Sequence, residues 1–174
     1  MAQLRFTGIC LWLIFAVSVN VQAGKPLAVG SKAPDWILPD TKGKHVSFYE
    51  SCNDHTAVVL FWATWCPYCS ALMPELEALR RELKDEPIKF YALNIWEDGD
   101  PLAHMKTHDF GFKLVLNAER VAKRYGVMGT PGLFMIGPDK TIRYIRAKGS
   151  KPTEVVAAIR KTFTEIRTPV SAEP

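Results

Sequence analysis

The stretch Thr56-Ala57-Val58-Val59-Leu60-Phe61-Trp62-Ala63-Thr64-Trp65-Cys66-Pro67-Tyr68-Cys69 decides how this chain folds. Its first half, Thr56 to Trp62, is a continuous apolar run rich in β-branched and aromatic residues, the pattern of a strand covered on both faces. Beyond it, Leu72, Leu76, Leu79 and Leu83 recur every three or four residues, so a helix runs from Pro67 to about Leu83. Pro67 suits the first helical turn, where its missing N–H costs nothing, and Pro74 kinks the helix from inside. The two cysteines therefore stand where a buried strand gives way to a helix start.

Working outward, Ile88 to Ile95 is a second buried strand. It is followed by a turn at Asp98-Gly99-Asp100-Pro101 and a short helix through His108. Leu114 to Leu116 is a weak strand, and Glu119 to Tyr125 a short helix stopped by Gly126. Leu133 to Ile136 and Thr141 to Arg146 form a hairpin around Gly137-Pro138-Asp139-Lys140. Pro152 to Ile166 is a closing amphipathic helix. Upstream, Trp36 to Leu38, the turn Pro39 to Gly43 and His45 to Phe48 read as strand, turn and strand. This order predicts one α/β domain, a central mixed sheet flanked by helices with an N-terminal β-hairpin extension. Its expected bounds are 35–167, after a lead-in at 24–34 and before a frayed tail at 168–174.

Of 174 residues, 48% are hydrophobic and 23% charged, which suffices for a core without staples. Arg5 precedes an uncharged run from Phe6 to Val21, and small residues follow at Val21-Gln22-Ala23. That is the layout of a cleavable export signal over 1–23; an uncleaved anchor facing the periplasm is the alternative. The net charge of +4, about +3 without Arg5, and the scattered Lys and Arg exclude a nucleic-acid-binding stripe.

Export implies an oxidising compartment, yet only Cys52, Cys66 and Cys69 follow position 23. Three cysteines, two of them three residues apart, do not make a disulfide framework, and chemistry explains them better. Unpaired N–H groups and the dipole at a helix start stabilise a thiolate on Cys66, and the same position is expected to leave it accessible. Cys69, one turn on, can return on a mixed disulfide and release the product. A zinc site would need a second ligand pair, and no other CxxC exists.

Phe61 to Cys69 is similar to the active-site stretch of the thioredoxin superfamily. With the export segment and Ala33-Pro34-Asp35-Trp36, the chain most resembles the TlpA/ResA-like periplasmic oxidoreductases of bacteria. Pro74, five residues after Cys69, matches that family's kinking proline, and Gly129-Thr130-Pro131 its cis-proline loop. The residues alone leave the Thr130–Pro131 bond open, since most X–Pro bonds are trans; the resemblance implies cis, facing the cysteines. It further implies a thioredoxin-like fold and thiol–disulfide exchange with protein substrates, needing no organic cofactor. Cys66 would be the nucleophile and Cys69 the resolving thiol. Thr130 and Pro131 would be the docking platform, with Trp65, Pro67 and Tyr68 as contact residues. The general resemblance is to reducing members that draw electrons from a membrane donor, and a monomer is expected.

The chain departs from family patterns at three positions. Leu60 and Ala92 stand where relatives often carry a buried acid and a lysine. Leu72 stands where some cytochrome-maturation relatives carry a glutamate, so cytochrome c maturation is left open. With no acid there, the Cys69 thiol is expected to deprotonate with difficulty, and Glu97 is the nearest candidate proton relay. A thiol peroxidase shares the fold but wants a threonine at Ala63. A copper-binding chaperone wants a histidine in the loop around Pro131, which has none. Cys52 reads as an ordinary core thiol, His104 and His108 as exposed polar residues rather than metal ligands, and Trp36, Trp62 and Trp96 as core.

Overall fold

The computed structural model describes residues 27–168, so the expected export signal at 1–23 and, apart from Thr168, the expected tail at 168–174 lie outside the described residues. In chain order the elements are β1 (Ile37–Pro39), β2 (His45–Ser47), α1 (Phe48–Ser51), β3 (Thr56–Trp62), α2 (Pro67–Glu82) and β4 (Ile88–Asn94). They continue with α3 (Pro101–Thr107), β5 (Lys113–Val115), α4 (Glu119–Arg124), β6 (Gly132–Ile136), β7 (Ile142–Ile145) and α5 (Pro152–Arg167). β1 and β2 form a separate antiparallel pair; the other strands make one sheet in the order β5-β4-β3-β6-β7. β3, β4 and β5 run parallel, and β6 and β7 antiparallel to their neighbours. The chain is a mixed α/β domain with a five-stranded mixed sheet flanked by helices.

Every residue of β3 is buried, as its unbroken apolar run requires. Because side chains alternate across a strand, Val58, Leu60 and Trp62 enter one core with Leu72, Leu76 and Leu79 of α2 and Val155, Ile159 and Phe163 of α5. Ala57, Val59 and Phe61 enter the other, with Trp36, Phe48, Val121 and Tyr125. Trp36 stacks on Phe48 at 5.0 Å between ring centroids; Phe48 begins α1 rather than ending β2. The segment before position 34 is tied down from Gly30 onward: the Gly30 N–H donates to Ile142 O and the Ala33 N–H to Lys140 O.

One polar group is built into the core side of α2. Glu77 is 4% exposed. Arg80 donates to both its oxygens at 2.8 Å, Arg81 at 2.7 Å and the Gly111 N–H at 2.9 Å. Arg81 also reaches Asp109, so this carboxylate fastens α2 to the loop before β5. Burial pushes the Glu77 carboxyl upward, but the arginine and backbone donors outweigh it and hold it at about 2, against an ordinary 4.5. A carboxylate depressed on folding stabilises fully above its unfolded value, and that contribution is lost as pH falls through the folded one. At 1.36 kcal/mol per unit this amounts to roughly 3 kcal/mol, disappearing between about pH 5 and pH 2. Urea midpoints at pH 7 and pH 3.5 check this: Glu77→Gln should lower the first and flatten the difference. An unchanged difference would show that the clamp does not couple to folding.

Candidate active site

The site grows from the end of β3. After Trp62 the chain turns, with the Cys66 N–H donating to Ala63 O at 3.2 Å, and α2 begins. Cys66 is the N-cap residue of α2 in extended conformation, and Pro67 follows at the first helical position. The Cys66 Sγ accepts a hydrogen bond from the Cys69 N–H at 3.1 Å. A helix start leaves its first N–H groups short of i−4 backbone acceptors, and here the Cys69 N–H is shared between the sulfur and Cys66 O at 3.0 Å. The same donor favours a thiolate on Cys66 once the pair is reduced. Cys66 and Cys69 are joined as a disulfide, with Cα atoms 5.2 Å apart. The expected accessibility is not found in this state. Cys66 is 2% and Cys69 1% exposed, because both sulfurs fold into the core that holds Trp62, Leu72 and Met73.

The second part of the site comes from the loop between α4 and β6. Gly126, at φ +68°, ends α4 in a conformation that favours glycine. Gly132 is required by close packing, since a Cβ there would lie 2.9 Å from Val127 Cγ1. Between them, the Thr130–Pro131 peptide bond is cis. Gly132 pairs with Phe61 in the antiparallel register, so Pro131 comes opposite Trp62, at the strand end that leads to Cys66. Pro131 is buried and Thr130 half-buried, and Arg146 donates from Nη1 to Pro131 O at 3.2 Å.

The rim is aromatic. Trp65 is 49% and Tyr68 71% exposed, and the indole N–H of Trp65 donates to Trp96 O at 2.6 Å. Trp96, expected in the core, is 43% exposed. A positive φ of 51° at that residue turns the chain out of β4 just where its apolar pattern ends.

Glu97 lies at the site, but its arrangement argues against a relay. Its two oxygens accept from the Thr64 N–H at 3.0 Å, the Thr64 hydroxyl, the Asn94 amide, the Asp98 N–H and the Gly99 N–H at 2.9 Å. Burial raises this carboxyl, yet the Thr64, Asn94 and Gly99 donors prevail and hold it at about 2. A base that weak and that fully occupied does not take a proton from a thiol. Glu97 instead fixes Thr64, two residues before Cys66. No sequence pattern announced this, because two of the five donors come from Thr64, 33 residues away. Leu60 and Ala92 face each other across β3 and β4 and share one buried cluster with Leu72 and Cys69. The wall behind the second cysteine is therefore apolar.

Cys52 is fully buried, and burial pushes its thiol upward. His104 is half-buried rather than exposed; its ring lies 5.3 Å from that of Trp62 and 4.5 Å from that of His108. Among the described residues no three His, Cys, Asp or Glu side chains converge as a metal site.

Comparison with known proteins agrees with this geometry. The AhpC/TSA family model matches residues 29–145. The thiol-disulfide oxidoreductase ResA of Bacillus subtilis is 31% identical over 140 residues, covering 76% of this chain and 78% of ResA. Among solved structures, the thioredoxin domain of a thiol-disulfide oxidoreductase from Bacteroides vulgatus superposes with a TM-score of 0.68 at 22% identity. It covers 78% of this chain and 97% of that one. A thiol:disulfide interchange protein from a Bacteroides species gives 0.68 at 20% identity, over 84% and 95%. The two structures establish a thioredoxin-like fold. The chain belongs to the AhpC/TSA family and, within it, groups with the ResA-like thiol-disulfide oxidoreductases.

Proposed function

We propose that this thiol–disulfide oxidoreductase acts as an exported reductase, a monomer without an organic cofactor that passes electrons from a membrane dithiol donor to protein disulfides. The observation that carries the reading is the Cys66 sulfur at the start of α2, accepting the Cys69 N–H and bonded to Cys69. In the reducing direction the Cys66 thiolate attacks one sulfur of a substrate disulfide. A Cys66–substrate bond forms, the substrate S–S bond breaks, and the other substrate sulfur leaves as a thiolate. Cys69, having lost its proton, then attacks the Cys66 sulfur, which closes the internal disulfide and releases the second substrate thiol. Two electrons have moved from the pair to the substrate, and a dithiol donor restores them by the reverse exchange.

Thr130 and Pro131 would receive the substrate backbone, while Trp65, Pro67 and Tyr68 would border it. Export is supported by the layout of residues 1–23 and by the ResA relationship, and no helix among the described residues is long and apolar enough to cross a membrane. The peroxidase alternative lacks support at Ala63, where it wants a threonine.

Equilibrium titration of the purified chain against a thiol–disulfide buffer tests the direction. A reductase is expected near the ~−270 mV of thioredoxin, whereas a value near the ~−120 mV of DsbA would make the chain an oxidant. N-terminal sequencing of the secreted protein is expected to begin at Gly24; a start at Met1 or Ala2 would indicate a retained anchor.

A further inference from the structure

Among the described residues, seven large hydrophobic side chains stand exposed, and four of them lie on the segments that build the site: Trp65 and Tyr68 beside Cys66, Trp96, whose carbonyl accepts from Trp65, and Met128 in the loop before Pro131, the last 94% exposed. A concentration of this kind on a soluble domain marks an interaction surface. Two hollows meet along the loop Gly126 to Met128. One, of about 440 Å³, has an apolar floor of Trp96, Val127 and Met128 and a rim of Glu119, Arg120 and Lys123. The other, of about 370 Å³, lies against Thr130 and Pro131 and is rimmed by Arg146 and Lys148.

The rims are cationic and largely unneutralised. Arg80, Arg81, Arg143, Arg160 and Arg167 all pair with carboxylates. Arg120, Lys123 and Lys148 are exposed and form no ion pair among the described residues. Arg146 spends Nη1 on Pro131 O and Nη2 on Ser150 O, and its buried Nε has no partner. The lining carboxylate, Glu119, accepts from the Trp96 N–H at 3.0 Å, and Glu97 beside Trp96 is held ionised by its donors. Against these two carboxylates stand Arg120, Lys123, Arg146 and Lys148, an excess of positive charge that an acidic partner would offset and a basic one would oppose.

We infer that this surface selects protein partners whose reactive disulfide lies in an acidic segment, with an apolar side chain seated between Trp96, Val127 and Met128. The inference rests on the thiol–disulfide exchange reading and specifies its substrate class.

The test uses the reduced chain and three single-cysteine peptides, each carried as a mixed disulfide with thionitrobenzoate. They differ only in flanking residues: aspartates with a leucine, lysines with the same leucine, and aspartates with serine in place of leucine. Cys66 attacks the peptide sulfur and releases coloured thionitrobenzoate, so the initial rate reports docking. At low ionic strength the acidic leucine peptide is expected to react about tenfold faster than the lysine peptide, within the ~10–10³ range of electrostatic steering. The ratio should shrink toward one in ~1 M salt, where the Debye length is ~3 Å. The serine peptide should fall several-fold behind its leucine counterpart. Arg120→Glu combined with Lys123→Glu should invert the acidic-to-basic ratio, and circular dichroism confirms its folding.

Equal rates for the acidic and basic peptides overturn the inference, as does indifference to the leucine. Both results come from the wild-type chain and do not depend on any variant. Wild-type reduction of 2-hydroxyethyl disulfide, small and uncharged, separates the two levels. If that reaction fails, the exchange reading itself is wrong; if it proceeds while the peptides react alike, only the partner selection is.

Discussion

Replacing Cys66 by serine is expected to abolish thiol–disulfide exchange, and replacing Cys69 by serine to leave the first half-reaction running while stopping the second. A serine hydroxyl at Cys66 supplies no thiolate at neutral pH, so the loss is complete to the background of free thiols. Cys69→Ser retains the donor that matters to Cys66, because the hydrogen bond at 3.1 Å comes from the backbone N–H of residue 69 and not from its side chain. That variant should accumulate mixed disulfides through Cys66, on the order of one substrate per chain, since nothing remains to expel the bound partner. Non-reducing electrophoresis with mass analysis of the adduct peptide reads both variants. Adducts forming in Cys66→Ser and not in Cys69→Ser would exchange the two roles.

What the sequence disclosed, and what it withheld, divides by the range of the interactions involved. β3, α2 and β4 were legible because each is specified by its own residues: an unbroken β-branched run, leucines at helical spacing with Pro67 at the start, and a second apolar run. The hairpin from β6 to β7 was legible for the same reason, its turn carrying glycine and proline. The cysteine pair was legible because only a strand-to-helix junction puts two sulfurs one turn apart at a helix start. Features built from distant partners were not. Glu77 sits one position from the leucine stripe of α2, and nothing local shows that Gly111 donates to it from 34 residues away. Trp96 was expected in the core, but the positive φ at that residue turns the chain and leaves the indole exposed. Glu97 binds Thr64, Asn94 and its own turn, and its low proton affinity speaks against a relay. Its position follows from the end of β4, whereas its low proton affinity follows from Thr64, which the sequence separates from it by 33 residues. The burial of Cys66 was missed for a related reason. The helix start sets the direction of its N–H donors, while the exposure of the sulfur depends on Trp62, Leu72 and Met73 closing around it.

The apolar wall behind Cys69 has a kinetic consequence. Cys69 must lose a proton before it can attack the Cys66–substrate bond, and the thiolate alone performs that attack. Cys69 packs in the cluster that contains Leu60, Leu72 and Ala92, three side chains with no atom able to accept a proton. Glu97, the one carboxylate the sequence suggested, is held at about 2 by Thr64, Asn94 and Gly99. It would remain ionised, and too weak a base to help, at every pH where the protein works. The proton must therefore pass to solvent, and the rate of the resolving step should follow hydroxide, rising about tenfold per pH unit as the thiolate fraction rises. Stopped-flow decay of a preformed Cys66–peptide mixed disulfide between pH 6 and 9 measures the slope. Glu97→Gln should lower overall stability by removing the anchor of Thr64, yet leave that slope unchanged. A decay independent of pH over this range would mean that a base assists Cys69 after all. If Glu97→Gln then restored the tenfold slope, that base would be Glu97, its proton affinity raised in the mixed disulfide by loss of the Thr64 and Asn94 donors.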